Sequence, residues 1–184
     1  MIHTMIQTTT ETHSTSLAEF AKGYAAYNLW ADQTMITWLQ KQDPALLEKE
    51  VVSSFPTIKH TLKHMLSTAS WWIKNLRGEH PDLTYGPVIC EESVAEVLAE
   101  VVAVSEELME LVSSMTAEQL QHPYLVTIPF VGDFNIPGYE MLPQIINHTA
   151  YHRGQVVTMG RHLGITDGPN TDYMYYVLVG AQRY

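Results

Sequence analysis

Four long stretches of the chain place apolar side chains at the alternating three- and four-residue spacing of a helix face. They run from about 17 to 42, from about 56 to 78, from about 93 to 115 and from about 138 to 163. Ser14 or Ser16 can cap the first helix, and Gly164 suits the end of the last. Four helices of this length, each with one apolar stripe, predict an all-α protein built as a four-helix bundle.

The segments outside these helices are shorter or more polar. The threonine-rich residues 1–16 are expected to form a flexible N-terminal arm, with residues 17–184 as a single domain. Prolines interrupt the link before the last long helix. Apolar and polar residues alternate loosely in this link, which fits either a short hairpin or an irregular crossover. We take the irregular crossover as the expectation. The tail "TDYMYYVLVGAQ" predicts a short C-terminal helix.

Composition excludes several classes of partner. Ten Lys and Arg face twenty Asp and Glu, for a formal net charge of −10, which disfavours direct binding to nucleic acid. No apolar run approaches the roughly 18 residues of a membrane span, so no membrane partner is expected. The N-terminus lacks the features of a secretory signal, and a cytoplasmic location follows as the default.

Two histidines lie one helical turn apart on the inward stripe of the last long helix. His148 and His152 occupy positions where a bundle favours apolar side chains, with Ile145 and Met159 holding the same stripe on either side. This spacing aims both rings at one volume and suits a shared divalent ion, although hydrogen-bonded core or surface histidines would give the same pattern. Gly154, in mid-helix, suggests close helix approach or room for a ligand.

A third metal ligand would have to come from another helix. The second helix offers "KHTLKHMLSTASWW", in which His64 lies beside the apolar stripe. His60 lies four residues earlier, nearer the start of the helix, where a solvated role is expected. The sequence therefore predicts His64, His148 and His152 as metal ligands, with His60 as an additional candidate. The candidates for the pocket lining are Trp71, Tyr24, Tyr27, Tyr151 and Gln155.

Three stretches resemble a known family. "YNLWAD" in the first helix looks like the opening signature of that family, and "HMLSTASWW" is similar to its second-helix motif. "NHTAYHRGQ", followed by "LGITDGPNTDYMYY", looks like its most specific stretch. The resemblance is to the DinB/YfiT-like superfamily, and it covers about residues 17–178.

The resemblance implies a four-helix bundle with a three-histidine metal site, often in homodimers. The ligands of the family carry over onto His64, His148 and His152, while Trp71 and His60 are not part of its pattern. Three imidazoles with no fourth protein ligand leave an open position, as in catalytic zinc sites. Neutral nitrogen ligands suit Zn²⁺, Ni²⁺ or Fe²⁺.

Three hypotheses follow for function. Related families imply a metal-dependent enzyme with a small-molecule substrate, which activates a low-molecular-weight thiol, as S-transferases do, or a water, as hydrolases do. The alternative is a non-catalytic metal-binding protein of the stress response, since the family name records induction by DNA damage. A bundle that has lost its metal is the third hypothesis.

Overall fold

The fold is built from seven helices and one hairpin within the part of the chain described by the computed structural model, residues 15–83 and 86–181. The predicted N-terminal arm lies outside these residues, except for Thr15 and Ser16. The element bounds are α1 Leu17–Leu39, α2 Pro44–Leu47, α3 Ile58–Leu76, α4 Val94–Ser114, α5 Ala117–Gln121, β1 Pro123–Ile128, β2 Gly132–Pro137, α6 Gly138–His162 and α7 Tyr173–Tyr175. A π-helical turn, Tyr176–Gly180, continues α7.

The four long helices form the predicted bundle. α1 packs on α4 and α6, and α3 also packs on α4 and α6, so the four helices enclose one core. Ser16 caps α1, where its hydroxyl accepts from the backbone N–H of Glu19 and the Glu19 carboxylate reaches back to Ser16. Gly164 follows α6 with a φ of 88°, as its predicted role at the helix end requires. The all-α prediction is confirmed.

The link before α6 is an ordered hairpin, so the expected irregular crossover is wrong. β1 pairs with β2 in antiparallel register, from Pro123 opposite Pro137 to Ile128 opposite Gly132. The prolines that argued against regular structure lie at the paired ends of the strands or in the turn, where few ladder hydrogen bonds are lost. Val126 anchors the hairpin in the core with no exposed surface.

Two apolar clusters fill the bundle, and a polar layer lies between them. In α1 one cluster ends at Ala31 and the other begins at Met35, with the buried Asp32 between them. In α6 the corresponding gap spans Ile146 to Val156 and contains both predicted histidine ligands. His148 and His152 therefore lie in a polar layer of the core, between the two apolar clusters.

Gly154 does not mark a close helix contact, so the first of its two interpretations, a close helix approach, is wrong. A Cβ atom built at Gly154 would have no neighbour within 4 Å, because this position faces away from the bundle. The close approach occurs at Gly160, where a Cβ would lie 2.7 Å from the Trp38 ring.

None of the helices in the described ranges is long and apolar enough to cross a membrane.

Candidate metal centre

Three histidines from two facing helices converge within the polar layer. Nε2 of His148 lies 3.1 Å from Nε2 of His64 and 3.2 Å from Nε2 of His152. One ligand atom from each ring falls within 4.8 Å of the others, so the group could hold a metal ion. Two nitrogens bound to one tetrahedral zinc would lie about 3.3 Å apart, given Zn–N bonds of about 2.0–2.1 Å.

Hydrogen bonding among the rings cannot satisfy all three nitrogens. The amide oxygen Oε1 of Gln155 lies 2.7 Å from Nδ1 of His152, and because that oxygen can only accept, Nδ1 carries the proton. Nε2 of His152 is then a bare lone pair aimed at His148. A single N–H on Nε2 of His148 could not serve two neighbouring nitrogens equally, whereas a cation between the rings would accept all three lone pairs. The donor set therefore fits a divalent ion.

The surroundings keep the three rings neutral. Burial, together with the neighbouring His152 and His64 rings, lowers the pKa of His148 to about 4. Burial and the His152 ring also lower the pKa of His64. The pKa of His152 is lowered by burial, against the opposing hydrogen bond to Gln155. Neutral imidazole is the form that binds a metal, so the lone pairs are available near pH 7.

The metal-free protein is expected to lose stability as pH falls from about 6.5 towards 4. In this window the unfolded chain takes up a proton at His148 that the folded chain does not, because the folded pKa is the lower one. Urea unfolding of chelator-treated protein at several pH values measures the effect. His148→Gln should give a flatter profile than wild type; equal slopes would contradict the assigned pKa.

The other predicted site residues lie at varied distances from the cluster. His60 does not join it: its Nδ1 lies 2.8 Å from Oγ1 of Thr57 at the start of α3. Tyr24 donates to the side-chain oxygen of Asn147 on α6. Tyr27 lies elsewhere, with its hydroxyl donating to the carbonyl of Thr171. Tyr151 packs edge-on against the His152 ring but is 63% exposed.

A cavity of about 570 Å³ opens beside the cluster. His64, His148 and Trp71 form part of its wall. The indole N–H of Trp71 donates a hydrogen bond to the carbonyl of Pro81. Residues from α3, α6, the hairpin and the loop before α4 complete the lining. This volume lies within the range of about 300–1,000 Å³ that is usual for small-molecule sites.

Sequence reasoning missed two residues of the loop before α3. The Phe55 ring stacks on His64, with centroids 4.4 Å apart, and also contacts His152. Ser54 accepts a hydrogen bond from the amide nitrogen of Gln155 and so fixes the amide that orients His152. The loop has no helical periodicity, so only its position next to the candidate helix could have drawn attention to it.

A buried ion pair lies on the other side of the ligand helix. Arg153, adjacent to His152, donates to Oδ1 of Asp32 at 2.8 Å and to Oδ1 of Asn28 at 3.1 Å. Oδ2 of Asp32 accepts from Ser105, which ties α4 into the same network. These buried contacts give Arg153 a structural role.

Comparison with known proteins agrees with the resemblance seen in the motifs. The family model described as DinB family matches residues 5–180. The chain is also similar to Protein DinB of Bacillus subtilis (strain 168), with 28% identity over 169 residues that cover 89% of this chain and 96% of that protein. The matched range contains all four long helices and the three clustered histidines. The chain therefore belongs to the DinB family.

Proposed function

We propose that the protein is a metal-dependent enzyme that holds one divalent ion through His64, His148 and His152. The observation that carries this proposal is the convergence of three neutral imidazole nitrogens from α3 and α6 beside a cavity of small-molecule size. A divalent ion held by three imidazoles, with a position left open, supplies a Lewis acid that lowers the pKa of a bound water or thiol.

Different residues of the chain would position the ligands of such a site and give a substrate access to it. The two apolar clusters position α3 and α6, and the stacked Phe55 ring restrains His64. Gln155 fixes the tautomer of His152 and is itself held by Ser54. The cavity beside His64 and His148 gives a small molecule access to the reacting position. This division supports a catalytic site over a closed structural one.

Metal content and ligand screening test the proposal together. Purified protein is expected to contain about one zinc, nickel or iron ion per chain, measured by elemental analysis. Thermal-shift screening of the loaded protein with bacillithiol, mycothiol and glutathione then tests thiol activation, and metal-dependent hydrolysis of generic esters and amides tests water activation. Stoichiometric metal with no turnover on either panel would favour a non-catalytic stress-response protein instead.

Gln155→Ala is expected to weaken metal binding about 10- to 100-fold, because His152 would lose the partner that fixes its ring and tautomer. Competition with a chromophoric chelator measures the affinity. Thr158→Ala is the matched control, since Thr158 lies on the exposed side of the same helix and its hydroxyl donates to the Gly154 carbonyl. Equal affinities for the two variants would contradict a role for Gln155 at the site.

A homodimer is part of the proposal. Large apolar side chains are exposed along α7, the π-helical turn and the neighbouring part of α1: Phe20, Met174, Tyr175, Leu178 and Val179. Burial of such a surface against a second copy would stabilise a dimer. Sedimentation equilibrium should give twice the mass of the chain, and Leu178→Asp should shift the protein towards monomer. A wild-type monomer at high concentration would contradict this part of the proposal.

A further inference from the structure

We infer that the cavity beside the histidine cluster takes a neutral, largely apolar small molecule with an aromatic or other flat ring. The inference rests on the proposed function in one respect: the molecule is a substrate only if the site is catalytic. Its chemical class is argued from the lining of the cavity alone. Binding of the molecule and catalysis at the metal can therefore be tested separately.

Apolar side chains from three parts of the fold form most of the cavity wall. Trp71 and Trp72 come from α3, Leu83 and Ile89 from the loop before α4, and Ile128 from the end of β1. The two indole rings meet edge to face, with centroids 4.8 Å apart. Flat aromatic walls favour flat apolar ligands, since stacked and edge-on ring contacts stabilise a complex beyond the burial of apolar area.

The polar groups of the wall are few. They are the hydroxyls of Ser67 and Thr68, the amide of Gln144 and the imidazoles of His64 and His148, whose Nε2 atoms face each other at 3.1 Å. Among the described lining residues there is no Lys, Arg, Asp or Glu. The wall can therefore orient a ligand through a few hydrogen bonds, but it offers no partner for a charged group.

An ionised ligand body would consequently be disfavoured. Moving a carboxylate out of water without a paired cation costs several kcal/mol, and the formal net charge of −10 opposes anions further. A metal at the histidines could pair with one reacting atom, but not with several carboxylates farther along the cavity. A ligand with several carboxylates along its body is therefore a poor candidate for the molecule that fills this space.

Isothermal titration with three naphthalene probes tests the inference on the full chain, in both metal-loaded and chelator-treated forms. The probes are 2-naphthalenemethanol, 2-naphthoate and 2-naphthylmethylammonium, which share the ring and differ in charge. Near neutral pH the alcohol should bind at least about tenfold more tightly than either ion, a difference of about 1.4 kcal/mol. The chelator-treated form matters most, because no metal can then attract the carboxylate.

Gln144→Lys places a cation at the cavity wall, one helical turn before His148. It should improve the binding of naphthoate about tenfold and change the binding of the alcohol less than about threefold. Gln33→Lys is the matched control, an exposed glutamine on α1 that is not part of this cavity. It should change neither affinity.

Three results would each overturn the inference. The first is tight binding of naphthoate to the metal-free wild type, and the second is the same affinities for wild type and Gln144→Lys. The third is failure of the alcohol to bind at its solubility limit. A protein that prefers the neutral probe but contains and takes up no metal would contradict only the proposed function. The two failures are thus distinguishable.

Discussion

Replacing Asp32 with alanine is expected to destabilise the protein by about 3–5 kcal/mol, because Arg153 would stay buried without its carboxylate partner. The side chains of Asp32 and Arg153 are 1% and 2% exposed, so water cannot replace the lost interaction. Arg153 would retain only the oxygens of Asn28 and Tyr27 as acceptors at its guanidinium. Chemical unfolding by urea, followed by circular dichroism, measures the loss.

A more exposed ion pair provides the control for this result. Arg77 and Glu107 form a salt bridge in which each side chain is about one third exposed, 36% and 35%. Glu107→Ala should cost less than about 1 kcal/mol, because solvent screens such pairs. Arg153→Met combined with Asp32→Leu should regain part of the loss, since no charge stays buried. A cost for Asp32→Ala no larger than that for Glu107→Ala would contradict the importance of burial.

The same network orients the ligand helix. Arg153 directly follows His152, and Thr149, one residue after His148, donates to Oδ1 of Asn28 at 2.8 Å. These bonds anchor one face of α6 to α1. Rotation of α6 about its axis would break them while it moved both histidines away from His64. The network therefore links the stability of the bundle to the geometry of the candidate metal centre.

Replacing His148 with alanine is expected to lower the affinity for a divalent ion by at least about 100-fold, because loss of a partner behind a ligand alone costs about 10- to 100-fold. His148 lies at the centre of the cluster, since its Nε2 is within 3.2 Å of the Nε2 atoms of both other histidines. Elemental analysis after loading and dialysis should find almost no retained metal. His64→Ala and His152→Ala should behave similarly.

Two other histidines are the matched controls. His162→Ala changes an exposed residue on the same helix, and His60→Ala changes the histidine that precedes His64 by one turn. Both variants should retain the metal content of the wild type. Wild-type content in the three cluster variants would contradict the site, and a loss in His60→Ala would mean that His60 takes part in binding. Circular dichroism on each variant separates loss of ligand from loss of fold.

The long helices were predictable because their burial depends on local periodicity. The apolar face of α4 is buried along its whole length, at Val94, Leu98, Val101, Leu108, Val112 and Met115. The ends were less predictable: α1 stops at Leu39 rather than near Gln42, and α3 begins at Ile58, capped by Thr57, rather than near Pro56. Caps and breakers compete within a turn, so several adjacent residues can end a helix.

The convergence of His64 with His148 and His152 could be anticipated from the sequence. A buried polar residue on an otherwise apolar stripe must have partners, and a histidine beside the stripe of another helix is a candidate to supply them. The hairpin was harder to predict from the sequence, because the ends of its strands contain prolines and its pairing depends on contacts with the bundle. Phe55 and Ser54 could not be identified, since they reach the site through the path of a loop.

The walls of the cavity depend on contacts between residues far apart in sequence. Leu83, Ile89 and Ile128 meet Trp71 and Trp72 only after the loop before α4 and the hairpin fold against α3. No single segment contains a pattern for that assembly. The candidate ligands could thus be predicted, but the class of molecule beside them required the three-dimensional structure.

The central claim is that three imidazoles from two helices hold one divalent ion. X-ray absorption at the zinc edge of zinc-loaded protein tests it most directly. Three imidazole nitrogens at about 2.0–2.1 Å, together with one light-atom ligand from solvent, are the predicted shell. His148→Ala should abolish this spectrum, whereas His162→Ala should leave it unchanged. A shell with sulfur at about 2.3 Å, or one of oxygens without imidazole, would contradict the claim.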